Sequence, residues 1–357
     1  MSSNLIIFLR NEVYENELRT PLIPSDIKIL INNNFIVYVE SSNYRIYPDD
    51  EYQKEGAIIT KDKWYTLEES IYKKAIIMGI KEINNLDKLN NHTHLYFSHS
   101  FKKQKNSNMI LDAFSKSNSI IYDFEFFLNN NKRIIAFGEF AGLVGAVLGL
   151  KQFYNKKMSL NNINNLSPWN SFDKMLKYIQ ELNGELDIGN YNNGIKVVLI
   201  GANGRCGKGV QFILDIFKDK IKYLKIENKN TDLSNSTLKE YDIIFNCILL
   251  DEKYDKIWFD KNTIFTKDLI IIDISCDYCK INNPIKLYDC ATSWKEPVFK
   301  YNNFVDIIAI ENLPSLLPFE SSNDFSKKCK ELLLQYGNDV WKNNLDIFKK
   351  VLNNLKN

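Results

Sequence analysis

The sequence predicts a two-domain α/β protein built on parallel sheets, and three observations carry that expectation. The chain has 357 residues, past the size at which one hydrophobic core usually keeps growing, so about two domains of roughly 150–200 residues are expected. Its N-terminal third alternates short apolar runs with helix-like polar segments, the pattern of a parallel sheet with crossover helices. A second alternating unit starts at Ile195 and opens on a glycine-rich turn.

In the first unit, residues 5–9, 35–39, 75–80, 95–98 and 120–122 read as strands rich in Ile, Val and aromatic residues. Between the first two, Pro24-Ser25-Asp26 opens a helix with apolar spacing at Ile27, Leu30 and Ile31. Residues 140–154 are small and apolar all round, as a helix packed between domains would be, and the Asn-rich stretch 159–168 reads as a surface loop. The second unit has strand patterns at 196–200, 223–226, 243–247 and 269–274, and 325–355 is helical by period. The expected organisation is a first domain over 1–136, a second over 137–324, and a C-terminal helix, 325–357, that packs back on the first.

Hydrophobic residues make up 45% and charged residues 25%, the composition of an ordinary soluble globular protein. Lys and Arg number 46 against 44 Asp and Glu, so no charge excess points to nucleic acid or an anionic membrane. The most apolar stretch, 140–150, is too short to span a bilayer. The first residues run into a strand without a basic segment or cleavage site, so no secretory signal is expected. All six cysteines lie at or after Cys206, which does not look like a disulfide framework, and a reducing cytoplasm is expected. Cys276 and Cys279 have metal-ligand spacing, but no second pair and no histidine follows them, so no metal is expected. Neither a Gly-x-Ser-x-Gly elbow nor a Walker loop is present.

The sharpest motif is the strand at 196–200 followed by Gly201-Ala202-Asn203-Gly204-Arg205-Cys206-Gly207. Glycines there let a pyrophosphate approach backbone N–H groups at the positive end of a helix, and the spacing is a variant of the Rossmann dinucleotide fingerprint. The next strand ends at Glu227, where a carboxylate can accept from ribose hydroxyls and repel a 2′-phosphate, favouring NAD over NADP; the plain alternative is an exposed strand-end Glu. Arg205 either pairs with pyrophosphate or caps the surface. In the first unit Arg10, Lys81-Glu82, His99, and Asp123 with Glu125 follow the proposed strands, at the edge where open parallel sheets bind ligands. A lysine and a histidine there could act as acid and base, although a structural role stands open for each. Of the three histidines, His92 and His94 read as loop and strand-start residues, leaving His99 as the catalytic candidate.

Taken together, these segments resemble the NAD-dependent, lysine-forming saccharopine dehydrogenases of the alanine dehydrogenase-like superfamily. The resemblance runs almost the whole chain: Leu9-Arg10-Asn11-Glu12 with Glu17-Leu18-Arg19, Ile77-Met78-Gly79-Ile80-Lys81-Glu82, Phe97-Ser98-His99, Tyr122-Asp123-Phe124-Glu125-Phe126, the glycine loop, Asp273-Ile274-Ser275, and Leu313-Pro314-Ser315-Leu316-Leu317-Pro318. It implies two Rossmann-like domains with parallel sheets and an inter-domain active-site cleft. It also implies oxidation of saccharopine by NAD to an imine, then hydrolysis to lysine and 2-oxoglutarate.

By the same resemblance Lys81 and His99 are the acid–base pair, with Glu82 and Glu125 tuning their pKa values. Arg19 and Arg133 bind substrate carboxylates, with Gln104, Phe137 and the loop Ser275, Cys276, Asp277 beside the substrate. Around the cofactor stand Lys132, Gly201, Gly204, Arg205, Gly207, Glu227, Thr231, Leu249, Ile274 and Leu313. Cys206 and Cys247 match a pair close enough for a disulfide in family members, and thiols are expected here. Three departures are visible: Leu249 replaces an aromatic residue, Lys132 an arginine, and Glu311-Asn312 the usual Asp-His. A related amino-acid dehydrogenase, such as an alanine dehydrogenase, and a catalytically silent NAD-binding relative remain alternatives. The expected partners are small-molecule substrates only, without nucleic acid or membrane, and the expected state is a cytoplasmic monomer.

Overall fold

The computed structural model describes residues 4–101, 106–188, 194–227, 234–250 and 253–356. The chain folds into two compact units, one of Met1–Ala136 with Pro318–Asn357 and one of Phe137–Leu317. The second boundary falls at Pro318, seven residues before the expected position, because α9 begins there.

The first unit contains, in chain order, β1 (Ile6–Leu9), α1 (Pro24–Asn32), β2 (Ile36–Glu40), α2 (Asp49–Lys54), β3 (Ile58–Thr60), α3 (Glu69–Tyr72), β4 (Ala75–Met78), β5 (Thr93–Tyr96), α4 (Ser107–Lys116), β6 (Ile120–Asp123) and a hairpin of β7 (Leu128–Asn129) and β8 (Lys132–Arg133). Its sheet has the order β3-β2-β1-β4-β5-β6, with every pair parallel. Strands β1 and β4 are buried at every position, which is why they read as unbroken apolar runs. The strand order reverses between β1 and β4, and their carboxyl ends frame a crevice.

In the second unit α5 (Gly138–Lys157) and α6 (Phe172–Ile188) precede β9 (Ile195–Ile200), α7 (Arg205–Ile216), β10 (Ile221–Ile226), α8 (Asn235–Leu238), β11 (Ile243–Asn246), β12 (Leu269–Asp273), β13 (Phe299–Lys300) and β14 (Val305–Ile308). The sheet order is β10-β9-β11-β12-β14-β13, parallel except for the β13–β14 pair. The all-round burial of α5 is accounted for inside this unit, where it joins the core that includes Phe245 and Ile272. Glycines make that packing possible. A Cβ on Gly142 would overlap the Cys206 carbonyl oxygen and stand 2.9 Å from Val210 N, and one on Gly149 would stand 2.6 Å from Ile272 Cδ1.

The C-terminal segment is two helices, α9 (Pro318–Leu334) and α10 (Asp339–Lys356), not the single helix expected from Phe325. Pro318 suits the first position of a helix, and Gly337, at φ 85°, breaks the run. Helix α9 docks on α1, where Asp26 accepts from Ser326 Oγ at 2.7 Å and from Lys330 Nζ at 2.8 Å. Helix α10 covers β6, with the Trp341 ring 4.8 Å from both Tyr122 and Phe127.

Several strands end earlier than the apolar runs suggest. Strand β4 stops at Met78 because the Ile80 N–H donates to Glu12 Oε1, at 2.5 Å, instead of to a neighbouring strand. Strand β5 is displaced to Thr93–Tyr96, placing His94 in the core. Strand β14 escaped the apolar pattern because Asp306 sits in it, fully buried and held by Gln152 Nε2 at 2.8 Å and Lys156 Nζ at 3.1 Å. No helix among the described residues is long and apolar enough to cross a membrane.

Two glycines give opposite expectations. Gly142→Ala forces α5 and α7 apart and should destabilise the second unit by about 2 kcal/mol or more. Gly184, inside α6, has nothing within 4 Å of its would-be Cβ, so Gly184→Ala should stabilise by up to about 1 kcal/mol. Urea unfolding followed by circular dichroism reads both.

Candidate active site

The crevice of the first unit is built by side chains that finish the sheet. Arg10 N donates to Met78 O at 2.9 Å. Its guanidinium lies against Gly79, where any Cβ would collide with it. One end of Arg10 pairs with Glu12 at 3.2 Å and the other donates to the Lys81 carbonyl. Glu12 in turn accepts from Ile80 N and, at 3.1 Å, from Lys81 N. Glu12 and Arg10 thus fix the backbone at Lys81, whose ammonium stands 5.7 Å from the centre of the Tyr14 ring. Arg10 works as a buried brace, and Glu12 is the residue that strand-end reasoning passed over.

His99 follows β5 by three residues and adopts a left-handed backbone, φ 51°. Its ring stacks on Phe97 at 6.3 Å, and Nε2 lies 3.9 Å from Glu82 Oε1. Glu125 pairs with Arg133 Nη2 at 2.7 Å, and its N–H donates to Asp123 Oδ1 at 2.8 Å. Arg19 is buried and bound in a two-pronged fashion by Glu17, at 2.7 Å through Nε and 2.6 Å through Nη2. Lys132 is exposed on β8. Gln104 lies outside the described residues. His92 and His94 are core residues around Trp64, with ring centres 5.0 and 4.8 Å from it. Burial pushes the imidazole of His92 down to about 4 and that of His94 down as well, keeping both neutral.

In the second unit the glycine turn divides its labour. Gly201, at φ 86°, packs where a Cβ would stand 2.6 Å from the Cys247 carbonyl oxygen, and at Gly207 a Cβ would stand 2.6 Å from that of Ala202. Gly204 differs, since a Cβ there would meet only Gly201 O, at 3.3 Å. It is the extended N-cap of α7, so the space over the first turn of that helix is open. A 12-residue helix directing its amide groups at open space, with Glu227 exposed at the end of the adjacent β10, fits a dinucleotide. Arg205 is exposed beside the turn, Leu249 is 69% exposed, Ile274 and Leu313 are buried, and Phe137 is buried just before α5. Thr231 lies outside the described residues.

The loop after β12 is organised by Asp273. Its Oδ1 accepts from Asn246 Nδ2 at 2.9 Å and from Cys276 N at 3.1 Å, and its Oδ2 from the Tyr288 hydroxyl at 2.5 Å. Burial pushes this carboxyl up to about 6. Cys276 is held at φ 51°, Ser275 Oγ donates to Ile248 O at 2.5 Å, and Asp277 pairs with Lys280 at 2.9 Å. Among the described residues the cysteines are all thiols. Burial raises the pKa of the Cys247 thiol, and the neighbouring Cys206 raises it further. Asn312 accepts from Trp294 Nε1 at 3.0 Å and Glu311 from the Tyr278 hydroxyl at 3.1 Å, so these two departures have local partners.

Two doubly wound sheets, a strand-end crevice in one and a glycine turn feeding a helix in the other, define a two-domain, Rossmann-like fold suited to a dinucleotide. The family model described as alanine dehydrogenase/PNT, N-terminal domain, matches residues 8–144. An L-alanine dehydrogenase structure superposes with a TM-score of 0.68 at 13% identity, covering 98% of this chain and 100% of that one, a likeness of fold. The sequence is 31% identical to the saccharopine dehydrogenase (NAD(+), L-lysine-forming) of Emericella nidulans, over 98% of each chain. It is also 31% identical to that of Candida glabrata, over 95% of this chain and 94% of the relative. The chain belongs to the saccharopine dehydrogenase (NAD(+), L-lysine-forming) family.

Of the residues singled out in the sequence, the structure brings together Glu82 with His99 and Glu125 with Arg133, and sets Lys81 next to Glu82 at the end of β4. It brings Glu17 to Arg19 as a separate pair. Asp273 is a functional residue that the strand-end reading misses; its signal is a carboxylate closing an otherwise wholly apolar strand.

Asp273 makes a pH prediction. Its folded carboxyl titrates above the ordinary 3.8, so ionising it opposes folding; the penalty is absent below about pH 4 and complete above about pH 6. Asp273→Asn keeps an acceptor for Cys276 N and cannot ionise. It should therefore gain stability relative to the native protein as pH rises from 4 to 7, by about 3 kcal/mol, measured by urea unfolding at each pH.

Proposed function

We propose that the chain oxidises saccharopine with NAD and releases L-lysine and 2-oxoglutarate, the last step of an aminoadipate route to lysine. The observation that carries this reading is the similarity over 98% of both chains to a saccharopine dehydrogenase; the resemblance assigns its acid–base and carboxylate-binding roles to Lys81, His99, Arg19 and Arg133. NAD, when bound, supplies the hydride acceptor for the carbon beside the substrate nitrogen. Gly201, Gly204 and Gly207 shape its turn, and Glu227 favours it over NADP.

The remaining chemistry is proton handling. Hydride can leave only if the secondary amine is unprotonated, so one of Lys81 and His99 takes its proton. Water then adds to the imine carbon, and the other group moves the proton from oxygen to nitrogen as the carbinolamine collapses to amine and ketone. Saccharopine carries three carboxylates. Arg19 and Arg133 suit them, because a guanidinium presents five N–H donors, more than one carboxylate occupies. The resemblance assigns Gln104, Phe137, Ser275, Cys276 and Asp277 to the substrate, Glu82 and Glu125 to tuning of the acid–base pair, and Lys132, Arg205, Thr231, Leu249, Ile274 and Leu313 to the cofactor. Thiol cysteines fit a reducing cytoplasm, where we place the protein as a monomer.

The direct test is NADH consumption at 340 nm. NADH oxidation should require lysine and 2-oxoglutarate together, and alanine with NAD should form no NADH; a flat trace with lysine and 2-oxoglutarate from folded, NADH-binding protein would sink the reading. Lys81→Met and His99→Gln should each lower kcat about 100-fold with NADH binding intact. Gly204→Ala, whose Cβ would stand 3.3 Å from Gly201 O, should weaken NADH binding at least about tenfold by fluorescence titration.

A further inference from the structure

We infer that Asp123 is a positioning residue for this reaction, a buried carboxylate that ties the loop carrying His99 to the turn carrying Glu125 and, through Glu125, Arg133. The inference rests on the functional reading above for what His99 does. Its geometry stands independently.

Asp123 ends β6 and is fully buried. Its Oδ2 accepts from Ser98 N at 3.1 Å and from Ser98 Oγ at 2.5 Å, while Oδ1 accepts from Glu125 N at 2.8 Å. Ser98 Oγ is also 2.8 Å from Ser100 Oγ and accepts from Ser100 N at 3.3 Å. Ser98 is therefore fixed to the carboxylate directly, and Ser100 to it through the Ser98 hydroxyl. Between them His99 sits at φ 51°, a backbone state that costs a non-glycine residue about 1 kcal/mol and persists only where the surroundings over-determine it. Asp123 is itself gripped from α10. Its N–H donates to Asn344 Oδ1 at 3.1 Å, and its carbonyl accepts from Asn344 Nδ2 at 2.8 Å.

A carboxylate is an expensive choice for merely ending a strand. Burial opposes its charge, and the titratable groups that act on it are Glu125 and His99, while Tyr96 on β5, raised chiefly by its own burial, is raised further by it. Helix α10 contributes only the neutral Asn344 to its hydrogen bonds. What the carboxylate provides, and an apolar residue would not, is acceptance of three donors from two loops at once.

The test uses the full chain with Asp123→Asn and the milder Ser98→Ala, which removes the hydroxyl and keeps the Ser98 N–H bond. An amide accepts at one position and donates at the other, so Asp123→Asn releases one of the two loops. We expect kcat to fall at least tenfold in Asp123→Asn and threefold in Ser98→Ala, while KM for NADH and NADH binding stay within twofold. A purely structural role would instead lower thermal stability and leave kcat per folded molecule unchanged, overturning the inference. A second readout needs no turnover: ethoxyformylation of His99 by diethylpyrocarbonate, with His92 and His94 buried. It should quicken severalfold in both variants. Unchanged modification in folded Ser98→Ala also overturns the clamp, even if Asp123→Asn does not fold, and a native protein inert with lysine, 2-oxoglutarate and NADH overturns the functional reading alone.

Discussion

A parallel strand that outruns its neighbour leaves N–H groups with no partner, and in this fold buried carboxylates take them. Glu12 accepts from Ile80 N and Lys81 N beyond β4, Asp123 from Ser98 N beyond β5, and Asp273 from Cys276 N beyond β12. Each satisfies a buried donor that would otherwise cost roughly 1–3 kcal/mol, and each fixes the first residues of a loop that carries proposed chemistry. The same constraint that closes the sheets therefore aims the side chains at their edges.

The two units solve close packing differently. In the second, glycines on α5 and α7 remove every atom between helix backbones; a Cβ on Gly209 would stand 2.8 Å from Leu143 N. The glycine turn belongs to that economy as much as to phosphate binding, since two of its three glycines are demanded by the chain's own carbonyls. In the first unit, side chains fill the same place. Arg10 lies in the crevice where β1 turns away, and Glu40 at the end of β2 is taken by Asn11 N at 3.1 Å and Lys63 at 2.7 Å. The topology alone would suit a nucleotide in either unit, and these occupants distinguish them.

Much of this was legible in the sequence, for a physical reason. Strands buried on both faces are apolar for most of their length, so β1, β4, β9, β11 and β12 announce themselves, and the glycine turn follows one of them. The strand ends were misplaced because composition cannot say where a side-chain carboxylate replaces a neighbouring strand: Ile80 is as apolar as Met78 but bonds to Glu12. β14 was hidden by Asp306, whose charge is tolerable only because Lys156, far off in sequence, reaches it. His94 reads from the sequence only as a strand-start residue; its place in the core needs the rings of Trp64 and Phe114 that enclose it. The pairs Glu125–Arg133 and Glu82–His99 needed loop conformations, including left-handed residues, that no periodicity encodes.

Helix α10 has one consequence for how the molecule comes into being. The first unit is assembled from stretches on either side of the second, so the strands of its sheet are synthesised early, yet Asn344, which grips Asp123 at both backbone atoms, is synthesised only after the whole of the second unit. Until then the end of β6 lacks its outer support, while the second unit, continuous from Phe137 to Leu317, already has all of its residues. The loop that carries His99 thereby acquires its full support only after every residue of the second unit has been made.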